Sequence, residues 1–335
     1  MPATGAIGPT ITDTMVRRIR KKPQHARKPR RTVAVLVALL TVLGFVLPAA
    51  LAIYLSADSR PLGPRRVTDV IERFLNHGYD LTAVASGNVR VPRLFLLRIP
   101  KDWRELVPAD KRKQAFVILV LPLVLQANEH VYADRQRLLD IAAQQKKGKT
   151  LPERDREWLQ DLAESYGTKA DDLKELARRV DTIPPSLALA QAAIESGWGT
   201  SRFTTEGNAL FGQWTTDVSN AMVPKDQDQD ATYGIRRFTS LAGSVASYFR
   251  NLNGHKAYAK FRKQRAALRA KSKPLDGTAL ANYLTSYSER GADYVAAVQK
   301  IIATNQLAPL DEARLQRDSS PTLLGVLSKR RLERE

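Results

Sequence analysis

The sequence predicts a mainly α-helical protein exported behind one membrane-spanning helix. Three observations carry this expectation. Apolar residues recur at helical spacing in successive segments, prolines and glycines bound those segments, and a long uncharged stretch follows a basic run near the N-terminus. At 335 residues the chain has room for one large or two modest domains.

Residues 1–31 carry nine Lys/Arg, all within "RRIRKKPQHARKPRR", against the single acid Asp13. Residues 32–55, "TVAVLVALLTVLGFVLPAALAIYL", follow at once, with the length a helix needs to cross a bilayer. The positive flank is expected to put the N-terminus in the cytoplasm and everything later outside, across the cytoplasmic membrane. A cleaved signal sequence is the competing expectation, because Ala50-Leu51-Ala52 has the small-x-small form of a cleavage site. Either way the remainder is exported.

Net charge is +19, from 53 basic and 34 acidic residues. In an exported protein that surplus points to the anionic membrane surface or cell wall and away from nucleic acid. Without cysteine there are no disulfides, thiolate metal sites or cysteine nucleophiles. The four histidines, His25, His77, His130 and His255, are scattered and form no paired-ligand motif, so neither a metal nor another cofactor is expected.

Residues 56–69 read as a linker rich in proline, glycine and charge, and 70–167 as a helical accessory region. Its first helix has Val70, Ile71, Phe74 and Leu75 at helical spacing and stops near Gly78. "NVRVPRLFLLRIP" is expected as a short strand pair. The uncharged run 115–125 is too short to span a bilayer and is interrupted by Pro122, which predicts a buried core helix. "PERDREWLQDLAESYG" puts Trp158, Leu159 and Leu162 on one face with Gly167 as stop, and Thr168 is expected to cap the helix after it. The catalytic region is expected over 168–309, and 310–335 as a charged tail.

In "DTIPPSLALAQAAIESGWG" the pair Pro184-Pro185 starts a helix, and Gly197 and Gly199 end it. Leu187, Ala190 and Ile194 form a core stripe, while Ala188, Gln191, Ala192 and Glu195 share another face. Glu195 lies in the last turn, at the negative end of the macrodipole, with Ile194 and Trp198 beside it. Both features push its pKa up, toward what a general acid needs. The plain alternative is a surface carboxylate paired with Arg202.

"IPPSLALAQAAIESGWGTSRFTTEGNALFGQW" resembles the core of the glucosaminidase family of peptidoglycan hydrolases, which includes enzymes of the flagellar rod. "FVILVLPLVLQANEHVYADRQRLL", "GTSRF", "NALFGQW" and "SYSERGADYV" look more narrowly like a membrane-associated branch of it. The resemblance runs from about residue 65 to 307. It implies a lysozyme-like α+β catalytic domain with a small β lobe, and cleavage of the peptidoglycan glycan strand after N-acetylglucosamine. Glu195 then takes the general acid's place, with Trp198, Asn208, Phe211 and Gly212 as cleft wall; for Trp198 and Phe211 core packing is an equal alternative.

The second catalytic group is left open by that resemblance. The loop "TTDVSNAMVPKDQDQDATYGIRRF" offers Asp217, Asp226, Asp228 and Asp230, of which Asp228 and Asp230 are the candidates retained. A substrate-assisted route needs none of them, because the substrate's N-acetyl oxygen can attack. Tyr287 matches a tyrosine the family places in the cleft, Tyr294 a second, supporting one, and Tyr233 is a further substrate-binding candidate. Glu289 and Arg290 depart from the family's usual pair and are expected to form a local ion pair, with an additional cleft carboxylate at Glu289 as the alternative. Lytic transglycosylase chemistry on the same glutamate and a wall-binding scaffold are the alternative functions.

Overall fold

A computed structural model describes residues 66–224 and 232–317. The basic segment, the apolar stretch 32–55, Asp226, Asp228, Asp230 and the chain beyond 317 lie outside the described residues.

Helix α1 (Val67–Asn76) starts inside the stretch read as linker and buries Val67, Val70 and Phe74. Leu75, expected on that face, is 50% exposed. The Asp102 carboxylate accepts hydrogen bonds from Val67 N at 3.0 and 3.1 Å, satisfying a helix N-terminus that Arg66 cannot cap. After α2 (Leu81–Ala85) the expected strand pair is absent. The chain there makes one parallel bridge, Val91 to Leu315. Pro92 and Pro100 lack the N–H a ladder needs, and the segment buries Leu94, Leu96 and Ile99 instead.

Helix α3 (Ala109–Lys146) runs unbroken through Pro122 and buries every residue from Ala115 to Leu125. By length and composition it could cross a membrane. Here its apolar run is covered by protein, and that packing offsets the roughly 3 kcal/mol a proline costs a helix interior. In α4 (Glu153–Ser165) Leu159 and Leu162 are buried, while Trp158 is half-buried beneath the Arg137 guanidinium at 4.2 Å. Thr168 does not cap the next helix. Gly167 takes φ 64°, and Thr168 N donates to Ala163 O to close α4. Helix α5 (Leu173–Arg179) is capped by Asp172, which accepts from Glu175 N.

Helix α6 (Pro185–Ser196) is the central element, with Pro185 in its first turn and Gly197 as its left-handed C-cap. The expected division into two faces does not hold: Ala188, Gln191 and Ala192 are as buried as Leu187 and Ala190, and Ile194 is only half-buried. Small side chains let α3, α10 (Gly277–Ala281) and α11 (Ala292–Thr304) all approach it. Between α6 and α10 come α7 (Arg202–Gly207), a three-stranded antiparallel sheet, α8 (Leu241–Gly254) and α9 (Ala259–Ala270). The sheet, of β1 (Trp214–Thr215), β2 (Ala221–Met222) and β3 (Gly234–Arg236), has order β1-β3-β2 and is the small β lobe the resemblance implied.

One hydrophobic core extends from Val67 to Leu315, drawing on 70–167 and 168–309 alike. The expected tail boundary at 310 falls too early, because Leu310, Ala313 and Leu315 are buried in that core. The fold is mainly helical with a small sheet, as a lysozyme-like α+β protein requires.

Candidate active site

Glu195 sits half-buried in the last turn of α6, where no basic side chain offsets the macrodipole. Burial raises its pKa above the ordinary carboxylate value. A hydrogen bond from Tyr294 and the charge of Arg290 act in the opposite direction without cancelling the rise.

A directed chain of hydrogen bonds ends on this carboxyl. The Tyr248 hydroxyl donates to Gln191 Oε1 at 2.7 Å, and Gln191 Nε2 donates to the Tyr294 hydroxyl at 3.0 Å. Tyr294 in turn donates to Glu195 Oε1 at 2.8 Å. Gln191 reaches both tyrosines because it lies one helical turn before Glu195 on the same face of α6. Burial first, and neighbouring charge second, raise the pKa values of Tyr248, Tyr287 and Tyr294, so these hydroxyls keep their protons at neutral pH.

Of the two expected tyrosines, Tyr294 is the one that reaches Glu195 directly. Tyr294, expected to support, makes the bond to Glu195, and Tyr287 stacks on Tyr294 with ring centroids 5.3 Å apart. Tyr287 also meets Tyr248 and Tyr258 edge-on or tilted. Gly212 lies at φ 56°, and a Cβ there would stand 3.5 Å from Glu195 Oε2, so that oxygen borders a position without a side chain.

The chain belongs to the Bax-like glucosaminidase family. The family model described as mannosyl-glycoprotein endo-beta-N-acetylglucosaminidase matches residues 170–307. Protein bax of Escherichia coli (strain K12) is 34% identical over 199 residues, which is 58% of this chain and 69% of that protein. No solved structure matches. The family makes this a glycoside hydrolase-type enzyme with a peptidoglycan-like glycan substrate.

Against that family pattern, several expected cleft residues work from buried positions. Asn208 adopts φ 54°, and its Nδ2 donates to Phe238 O at 2.8 Å, tying the end of α7 to the chain after β3. Phe211 is buried and stacks on Tyr248 at 3.9 Å. Leu210 N donates to Ser244 Oγ, so the glycine-asparagine turn is fastened to α8 as well. Trp198 is half-buried against Phe116, with centroids 5.6 Å apart.

The alternative partner for Glu195 does not hold, since Arg202 pairs with Glu206 at 3.6 Å and donates to Val223 O at 2.7 Å. Among the described residues Glu289 and Arg290 do not form the expected ion pair; the charge of Arg290 acts on Glu195, lowering its pKa. Asp217 is engaged by Ser219 at its own turn. Among the described residues, the groups that shift Glu195 include no second carboxylate. Tyr233 is exposed on the β lobe, tilted against Trp214.

Sequence reasoning missed Trp103 and Arg104. The Trp103 indole donates to Trp198 O at 2.8 Å, and Arg104 donates twice to Thr200 O. A Cβ on Gly199, at φ 81°, would come within 2.8 Å of the Trp103 indole nitrogen. The glycine that ends the glutamate helix is therefore also the seat of a tryptophan from the accessory region. Nothing near Trp103 in the sequence signals this, because the contact spans about a hundred residues.

Proposed function

We propose that this enzyme is a peptidoglycan N-acetylglucosaminidase, probing the glycan strand from the periplasmic side of the inner membrane, in which Glu195 protonates the leaving sugar oxygen. The observation that carries the proposal is the Glu195 carboxyl itself: half-buried, raised in pKa, and held by the proton of Tyr294.

The hydrogen-bond directions support a place for the transferable proton. Tyr294 accepts from Gln191, so its own hydrogen is committed to Oε1. The acid proton then belongs on Oε2, beside Gly212, where the missing side chain leaves room for substrate. In the substrate-assisted route the N-acetyl oxygen bonds to the anomeric carbon as the glycosidic bond breaks. The released electron pair stays on the leaving oxygen, which takes the proton from Glu195. Water then opens the cyclic intermediate and returns a proton to Glu195. The bond from Tyr294 stabilises the carboxylate formed in between. Tyr287, stacked on Tyr294, is proposed to orient the N-acetyl group; Trp198 and Phe211 fix the cleft through their packing, and Asn208 through its turn. Asp228 and Asp230 are the candidates for a second carboxylate if the reaction uses one.

Residues 32–55 are proposed as the anchor that holds the enzyme at its substrate. Mass spectrometry of purified peptidoglycan digested with the full-length chain tests the reaction class. Reducing N-acetylglucosamine ends are expected. Anhydro-sugar ends would assign a lytic transglycosylase, and binding without cleavage would leave a wall-binding scaffold.

A further inference from the structure

Trp214 is 58% exposed and Tyr233 48% exposed, although both belong to the β lobe. The other three tryptophans are engaged by the protein: Trp103 in the core, Trp158 under Arg137 and Trp198 against Phe116. Each of the two aromatic side chains thus keeps about half of its surface in solvent, where burial would have been favourable. Such patches mark binding surfaces more often than isolated exposed residues do.

The sheet register explains why the pair stands out. Trp214 lies opposite Ile235, and Met222 lies opposite Ile235 from the other side, so the three share one face. Tyr233 is two residues before Ile235 and falls on the same face. Met222 and Ile235 are buried, and a Cβ on Gly207 would meet the Met222 sulfur. Among the described residues the face is thus covered by α7 at one end, while at the other Trp214 and Tyr233 stay about half exposed. There the Trp214 and Tyr233 rings lie 5.4 Å apart, inclined at 57°.

That end is close to the catalytic carboxyl. Trp214 follows Gly212 by two residues, so their Cα atoms are at most about 7 Å apart. Gly212 itself borders Glu195 Oε2. We infer that Trp214 and Tyr233 form an aromatic platform that stacks against an N-acetylhexosamine ring of the glycan strand, next to the ring cleaved at Glu195. This rests on the proposed glycosidase reading and adds a subsite to it. Pyranose rings present an apolar C–H face and a polar rim, and a partly exposed aromatic pair matches the former.

The test is binding of a β-1,4-linked N-acetylglucosamine hexamer to the full-length chain carrying Glu195→Gln, which removes turnover. Affinity is followed by calorimetry and by quenching of tryptophan fluorescence. Adding Trp214→Ala is expected to weaken binding on the order of 10-fold and to abolish most of the quenching. Tyr233→Ala should weaken it less, and Trp214→Phe should restore part of the loss. Unchanged thermal unfolding in these variants excludes a folding defect, since both rings are exposed. Hexamer binding that Trp214→Ala leaves intact overturns the platform while the parent's cleavage of peptidoglycan upholds the glycosidase. Absence of both binding and cleavage overturns both proposals.

Discussion

Tyr294 acts on Glu195 in two opposed ways. Its donated hydrogen bond fixes the carboxyl's orientation, and it also favours the charged form, lowering a pKa that burial raises. Replacing it with phenylalanine removes the lowering influence, so the Glu195 pKa moves further up. The fraction of enzyme with a protonated acid then persists to higher pH. In Tyr294→Phe the alkaline limb of the kcat/KM profile is expected to shift to higher pH than in the parent. Gln191 Nε2 also loses its acceptor in a fully buried position, which should cost about 1–3 kcal/mol in urea denaturation. Glu195 was legible in the sequence because it breaks a local rule, an acid where a helix prefers a base. The family resemblance put Tyr294 in the site as a support, but its bond to Glu195 joins residues 99 apart and periodicity carries no information about such pairs.

At the scale of elements, helix α6 is held at both ends by distant parts of the chain. At its C-terminal end Trp103 and Arg104 fasten the turn after Glu195. At its N-terminal end Asp311, from the 3-10 turn Ala308–Glu312, accepts from Ser186 N at 2.7 Å, Ser186 Oγ at 2.9 Å and Gly277 N at 3.1 Å. One carboxylate thereby caps both α6 and α10. Burial pushes the Asp311 carboxyl up to about 6 against the pull of those bonds. The folded state then retains a proton that the unfolded chain, titrating at the ordinary 3.8, has already released. This group's contribution to stability falls as pH rises through roughly 4 to 6. Asp311→Asn keeps an acceptor and removes the titration. Between pH 4 and pH 6.5 its unfolding free energy should decline less than the parent's, by about 1–3 kcal/mol. Both ends of α6 were readable from Pro184-Pro185 and Gly197. Its neighbours were not, and the strand pair at 88–100 failed because a Val-, Leu- and Ile-rich segment broken by prolines buries Leu94, Leu96 and Ile99 without forming a ladder.

Across the whole molecule, the segment that the family model matches is not the unit that packs. Residues 170–307 share their core with α1 to α4, and Phe116 lies against Trp198 from within the most apolar part of α3. A fragment limited to 168–317 loses the eleven consecutive buried residues of α3 and the Trp103 clamp. It is expected to show no cooperative unfolding transition in circular dichroism, where the full-length chain shows one. From the sequence, accessory and catalytic regions are expected to divide at Gly167, the stop of one helix. The core ignores that division, because α3 packs on α5, α6 and α8 of the one region as well as on α1 of the other.

The central claim is that Glu195 supplies the proton that releases the sugar. Its most direct test is the rate of glycan-strand cleavage by the full-length enzyme and by Glu195→Gln, measured side by side on purified peptidoglycan. Glutamine preserves shape and an acceptor for Tyr294 but has no acidic proton to give. The account predicts a loss of about 10²- to 10⁴-fold with substrate binding retained. Cleavage by the variant at the parent's rate would contradict it.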